Sequence, residues 1–263
     1  SSLVGSEMCI RDRYGAEEVP AAGFAFYLEQ VMAALESSKA TRPLRIAVPK
    51  GSLKDDAIAT LEAAGLDVTG LADAGRTLML RNGDMEYLFV RPTDAPVFVA
   101  LGAADCGICG WDSLIEADLN LLQLVDLGYG LCTFIEAEPA WRAGQAERNY
   151  ARRGSLRVAT KYPRIASAWY AERGVNADIV SLHGNIELGP IVGMTDRIVD
   201  ITATGATLRD NDLVITGRIM DCTARFFVNP GAARLDPRVR NLADRLAVAV
   251  KDRQFEPVAG SAQ

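Results

Sequence analysis

Short apolar runs that end in polar turns, separated by segments of helix length, constrain this chain more than any other feature. Leu44-Arg45-Ile46-Ala47-Val48 stops at Pro49-Lys50-Gly51. Comparable strand-like pieces cover 77–80, 85–90, 106–109, 156–160, 179–182, 213–219 and 224–228, with a further apolar segment at 121–126. Helical patterns lie between them, at 52–65, 95–101 and 111–116, and a last one covers 234–252. In the first, Ser52 is placed to cap, Asp55 and Asp56 suit the opening turn and Gly65 is a stop signal. In the last, Val239, Leu242, Leu246, Val248 and Ala249 form the apolar side. Alternating strands and helices predict an α/β architecture, with ligands just past the carboxyl ends of strands. Lys50, Arg91, Trp111-Asp112, Lys161 and His183 all fall at such ends. Their recurrence points to one shared polar cleft.

The stretch Ile198-Val199-Asp200-Ile201-Thr202-Ala203-Thr204-Gly205-Ala206-Thr207-Leu208 has the same form and more chemistry. Its β-branched start favours a buried strand. The turn that follows offers backbone N–H groups and hydroxyls, which can cradle a phosphate. Asp200 then stands within reach of sugar hydroxyls attached to that phosphate. Taken alone, the stretch reads equally well as a strand leading into an ordinary capped turn.

The 263 residues, 49% hydrophobic and 24% charged, suffice for a large core in one or two domains. A net charge of −6 argues against a dedicated nucleic-acid surface. No apolar run approaches the roughly 20 residues that span a bilayer. Five cysteines do not suggest a disulfide scaffold, and a reducing cytoplasm is the expected setting. Cys106 and Cys109 fall on a short strand, where positions i and i+3 point to opposite faces, so they are poorly placed to share a metal. The single histidine is His183. Residues 1–43 read as an N-terminal extension, whose 7–13 run resembles translated sequencing-adapter read-through. Phe24, Phe26, Tyr27, Val31, Met32 and Leu35 make a rough helical stripe within it. Residues 139–155 read as a polar connection, and 254–263 as a disordered tail.

From 44 to 253 several blocks, in order, resemble ATP phosphoribosyltransferase, the first enzyme of histidine biosynthesis. They are Arg45-Ile46-Ala47-Val48-Pro49-Lys50-Gly51, Arg91-Pro92-Thr93-Asp94, Gly102 through Gly110, Leu127-Gly128-Tyr129-Gly130, Arg157 through Pro163, Leu182 through Leu188, and Asp200 through Leu208. The resemblance implies two α/β lobes like a type II periplasmic-binding-protein fold, with the active site in the inter-lobe cleft. The lobes are expected at 44–134 plus 212–253 and at 135–211. It implies transfer of 5-phosphoribosyl from phosphoribosyl pyrophosphate to N1 of ATP, with Mg²⁺ carried mainly on substrate phosphates. Thr204, Gly205, Ala206, Thr207 and Leu208 form the family's phosphoribosyl-pyrophosphate loop, with Asp200 on the ribose hydroxyls. Lys50, Arg76 and Arg91 are the expected catalytic cations. Asp94, Asp112, Lys161, His183 and Glu187 are the expected ATP-side residues. The chain resembles the family's short form, which dimerises and works with a regulatory partner resembling histidyl-tRNA synthetase.

Four positions depart from the family's cationic pattern. Ser52 stands where arginine is usual, Trp111 where lysine is frequent, and Leu131 and Thr133 flank Cys132 where the family often has Lys and Arg. Trp111 offers a ring on which a base could stack. Two further readings therefore stand beside the first: a paralogous phosphoribosyltransferase with another acceptor, and a non-catalytic two-lobed binding protein.

Overall fold

The computed structural model describes residues 42–252. The readings at 7–13, 24–35 and 254–263 lie outside the described residues. In chain order the strands are β1 (Leu44–Pro49), β2 (Met79–Asn82), β3 (Met85–Val90), β4 (Cys106–Gly110), β5 (Leu122–Asp126) and β6 (Cys132–Pro139). They continue with β7 (Leu156–Thr160), β8 (Ala177–Ser181), β9 (Arg197–Thr202), β10 (Leu213–Cys222) and β11 (Ala224–Val228). The helices are α1 (Lys54–Ala63), α2 (Ala95–Ala100), α3 (Trp111–Ala117), α4 (Gln145–Arg153) and α5 (Pro163–Glu172). After these come α6 (Leu188–Ile191), α7 (Ala206–Asp210), α8 (Pro230–Leu235) and α9 (Pro237–Asp252).

Two mixed sheets result. The first runs β2-β3-β1-β4-β11-β5, and the second β10-β6-β9-β7-β8. β1 lies parallel to β3 and β4, and β7 lies parallel to β8 and β9. Each sheet buries both faces, so its central strands feed two clusters with a period of two. Leu44, Ile46 and Val48 enter one cluster with Phe226 and Leu246, while Ala47 enters another with Val99 and Phe227. Cys106 and Cys109 divide the same way, as strand geometry requires.

Several local expectations change. β10, expected with the first lobe, pairs with β6 and belongs to the second sheet. β6 escaped the apolar pattern because Glu136 and Glu138 interrupt it. Both are buried against Arg197, some sixty residues away. The polar connection contains α4, whose Ala146 packs into the second sheet's core and whose end is set by Gly154 at φ 75°. Residues 51–53 form a 3₁₀ turn, and α1 starts at Lys54 without a side-chain cap, so Ser52 does not cap it. The closing helix breaks at Asp236, whose carboxylate accepts the Arg238 N–H at 3.0 Å. Val248 falls off the buried 239–242–243–246–249 stripe and is exposed.

Asn229 ties this last segment down. Its side chain accepts from the N–H groups of Gly231 (2.8 Å) and Ala232 (3.3 Å) and donates to the Val99 carbonyl at 3.0 Å. Asn229→Ala is expected to cost about 1–2 kcal/mol, as for a lost helix cap. Urea unfolding measures it as a lower midpoint at unchanged slope.

Candidate active site

The carboxyl ends of the parallel strands bring the predicted residues to two edges. At the first sheet's edge Lys50 follows β1, Arg91 follows β3 and Trp111-Asp112 follow β4. At the second sheet's edge Lys161 follows β7, His183 follows β8, and the Thr204 turn follows β9. The edges meet through α3 and α5. Tyr162 and Asp112 interact electrostatically there, and Glu116 accepts the backbone N–H groups of Arg164 (3.0 Å) and Ile165 (3.1 Å).

A cavity of about 350 Å³ opens on the second sheet's side of this junction, within the size range of small-molecule sites. Lys161, Glu187, Asp200 and the Thr204–Gly205–Ala206–Thr207 turn border it. The turn is built locally. Thr202 Oγ1 accepts the Gly205 N–H at 3.0 Å, Gly205 takes φ 70°, and Arg209 donates to the Thr204 carbonyl at 3.0 Å. Leu208 borders the cavity and is buried among Ile135, Ile198 and Leu213, which anchors the turn to the core. Thr204 and Thr207 stay exposed.

Asp200 is 9% exposed, and burial pushes its carboxyl above the ordinary carboxylate range. The Ile201 N–H, 2.9 Å from Oδ1, and the Lys161 charge work against that rise, while Glu187 adds to it. Asp112 is likewise pushed up by burial, opposed by bonds from Ser113 and Tyr162. The Tyr162 hydroxyl is driven upward by burial first, then by Asp112 and Asp200. Tyr162 thus stands electrostatically between an acid from each sheet. Reading the sequence for cations and carboxylates missed it, although its place directly after Lys161 was a signal. Gly110 fits the same design: a Cβ there would lie 2.0 Å from Asp112 Oδ1.

The remaining predicted residues do not border this cavity. Lys50 is half-buried, and Arg76, Arg91, Asp94 and His183 are exposed. Trp111 is not a free stacking surface. It packs against the second sheet's core and carries the Arg225 guanidinium 5.5 Å from its ring centre. Thr133 bonds Asp221 at 2.7 Å, and Arg218 from β10 lies 3.4 Å from the Thr133 hydroxyl. A cation from the neighbouring strand therefore sits where the sequence alone shows none.

A family model described as HisG, ATP phosphoribosyltransferase, matches residues 91–248. An ATP phosphoribosyltransferase from Rubrobacter xylanophilus is 48% identical over 219 residues, covering 83% of this chain and all of the relative. The chain belongs to the ATP phosphoribosyltransferase family. The family's reaction transfers 5-phosphoribosyl from phosphoribosyl pyrophosphate to N1 of ATP, the first step of histidine biosynthesis. A solved structure titled as the ATP phosphoribosyl transferase (HisG:HisZ) complex from Thermotoga maritima superposes with a TM-score of 0.68. It is 30% identical and covers 80% of this chain and all of that one. An ancestral amino-acid-binding protein, AncCDT-1, a precursor of cyclohexadienyl dehydratase, matches with a TM-score of 0.50 at 14% identity over 83% of this chain and 94% of its own. That likeness concerns the fold alone and agrees with a two-lobed α/β architecture of the periplasmic-binding-protein kind. Among the described residues no helix is long and apolar enough to cross a membrane.

Proposed function

We propose that this chain catalyses the family reaction with the phosphoribosyl donor held in the cavity at the end of β9. The observation that carries the assignment is a buried carboxylate, Asp200, beside Lys161 and facing a turn rich in hydroxyls and N–H groups. In this reading the N–H groups and hydroxyls of 204–207 bind the 5-phosphate, with Leu208 anchoring the turn. Asp200 accepts hydrogen bonds from the ribose hydroxyls, for which it must be ionised. Lys161 favours that ionisation and is assigned to the charge of the leaving group.

The chemistry asks for electrostatic stabilisation more than for a nucleophile from the protein. Cleavage of the C1–pyrophosphate bond leaves cationic character on the ribose and negative charge on the departing pyrophosphate. Lys50 and Arg91, at strand ends of the first sheet, and Arg76, from the loop before β2, are assigned to phosphate charge. Asp94, Asp112, His183 and Glu187 are assigned to the ATP side. Among the described residues no group of three or more His, Cys, Asp or Glu side chains is arranged to hold a metal. Asp200 and Glu187 do share the cavity and repel one another there, which fits one cation held between carboxylate and phosphate oxygens. Mg²⁺ bound in that way would neutralise charge on the leaving group.

A regulatory subunit related to HisZ is the proposed partner, and a homodimer the proposed catalytic unit. Full coverage of the Thermotoga maritima chain, solved in a complex of that description, supports the first. The reaction is assigned to the cytoplasm, where both phosphorylated substrates are held. The test is incubation of purified protein with phosphoribosyl pyrophosphate, ATP and Mg²⁺, with and without a HisZ-like subunit. The adduct is followed by absorbance and mass. Formation of phosphoribosyl-ATP is expected. An adduct with another base and none with ATP would move the chain to the paralogous reading.

A further inference from the structure

Among the described residues the backbone crosses between the two sheets at two places, 127–131 from β5 to β6 and Thr223 from β10 to β11. The crossings run side by side. The Leu127 N–H donates to the Ala224 carbonyl at 2.9 Å, and the Ala224 N–H to the Tyr129 carbonyl at 2.8 Å. Thr223 Oγ1 donates to Asp126 at 2.7 Å. Immediately beyond them, Cys132 and Cys222 are directly opposed as the last pair of the antiparallel β6–β10 ladder. Both are free thiols.

Directly opposed antiparallel residues place their Cβ atoms about 4.5–5.5 Å apart. A disulfide needs about 3.5–4.5 Å. The pair is therefore separated from a cross-link by a small approach. Cys106 and Cys109 differ in every respect that matters. They sit on opposite faces of β4, fully buried, and burial pushes both thiols well above their ordinary range.

We propose that Cys132 and Cys222 form an oxidisable dithiol, which low-molecular-weight disulfides of the glutathione class convert into a cross-strand disulfide clamping the two inter-sheet crossings. Cys132 is the attacking member because it is half-buried, whereas Cys222 is almost wholly buried. The neighbouring Cys222 draws the Cys132 thiol below its usual range, and Cys132, with burial, raises Cys222. The Cys132 thiolate attacks one sulfur of the small disulfide, and that S–S bond breaks to release one thiolate. The released thiolate takes the Cys222 proton. Cys222 then attacks the Cys132 sulfur of the mixed disulfide and expels the second small thiolate, which takes up a proton from solvent. Two protein thiols are oxidised and one small disulfide is reduced to two thiols.

The clamp lies beneath the junction of the two edges. Asp112 acts electrostatically on the Cys222 thiol, and Cys132 on the Tyr162 hydroxyl. Oxidation is expected to restrain both crossings, which are the natural hinge of a two-lobed protein.

The test treats the purified full chain with oxidised glutathione, blocks remaining thiols by alkylation and maps peptides by mass. The expected product links Cys132 to Cys222, with Cys106 and Cys109 modified at least about tenfold more slowly and Cys9 scored separately. Cys222→Ser is expected to trap a glutathione adduct on Cys132, and Cys132→Ser to leave Cys222 unmodified. Hydrogen exchange at 127–131 is expected to slow on oxidation and recover with dithiothreitol. Full alkylation of Cys132 and Cys222 after oxidation, or no adduct in the Cys222→Ser chain, would overturn the proposal. Neither result bears on the transferase assignment.

Discussion

Asp200→Asn is expected to weaken phosphoribosyl pyrophosphate binding roughly ten- to a hundredfold while making the ligand-free protein more stable at neutral pH. The first effect follows from exchanging an ionised acceptor for a neutral one opposite the ribose hydroxyls, a change worth about 1.5–3 kcal/mol. The second follows from the sign of the carboxyl's shift. Burial is its largest cause and raises it, with Glu187 in support and the Ile201 N–H and Lys161 in opposition. A carboxyl raised in the folded state favours folding below its unfolded value and loses that contribution as pH climbs through its folded value. At neutral pH the folded protein therefore carries the cost of a buried charge. Asparagine removes that cost and still offers an oxygen to the Ile201 N–H. Melting temperatures of both proteins across pH, with calorimetric titration of the donor, check this. The stability gap should close as the pH falls through the carboxylate range. A variant less stable at neutral pH would mean that Lys161 and the Ile201 N–H outweigh desolvation. Unchanged donor affinity would favour the non-catalytic reading.

Arg197→Met should cost about 3–5 kcal/mol of stability, the usual penalty for leaving buried charge without its partner. The Arg197 guanidinium bonds Glu136 and Glu138 at 3.0 Å each, and Glu147 as well. Glu136 also accepts from Thr216 Oγ1 at 3.0 Å and from the Tyr170 hydroxyl. Glu136 and Glu138, two apart on β6, project from the same face of the strand and are both buried. Without the arginine, two carboxylates face each other inside the second sheet. A loss of this size is a large share of the roughly 5–15 kcal/mol typical of a domain. Urea unfolding at neutral pH measures it. Adding Glu136→Gln and Glu138→Gln to Arg197→Met should recover most of the loss, because the uncompensated charge is then gone. A double-glutamine background that recovers nothing would show that Arg197 acts through packing instead.

The turn proposed to hold the donor stood out in the sequence because it is local. Asp200, the Thr204–Gly205–Ala206–Thr207 turn and its anchor Leu208 lie within nine consecutive residues, and the bonds that shape the turn span five residues or fewer. The acceptor side stood out less. Trp111 suggested a stacking surface until the second sheet's core and Arg225 were found against it. Thr133 looked like a lost cation until Arg218 came to it from β10. Tyr162 carries no charge, and apart from its place directly after Lys161 nothing in the sequence signalled that it stands between Asp112 and the cavity.

By itself, the sequence showed most of the strands, that helices alternate with them, and one turn whose chemistry suits a phosphate. Each of these depends on side-chain periodicity and turn chemistry over a few residues. Only the tertiary structure decided that β10 joins the second sheet, that Glu136 and Glu138 belong inside it, and that Cys132 meets Cys222. Those facts rest on contacts between residues about 60 to 90 positions apart. At such separations the partner of a charge or a thiol is chosen by strand order and register, which no local pattern encodes.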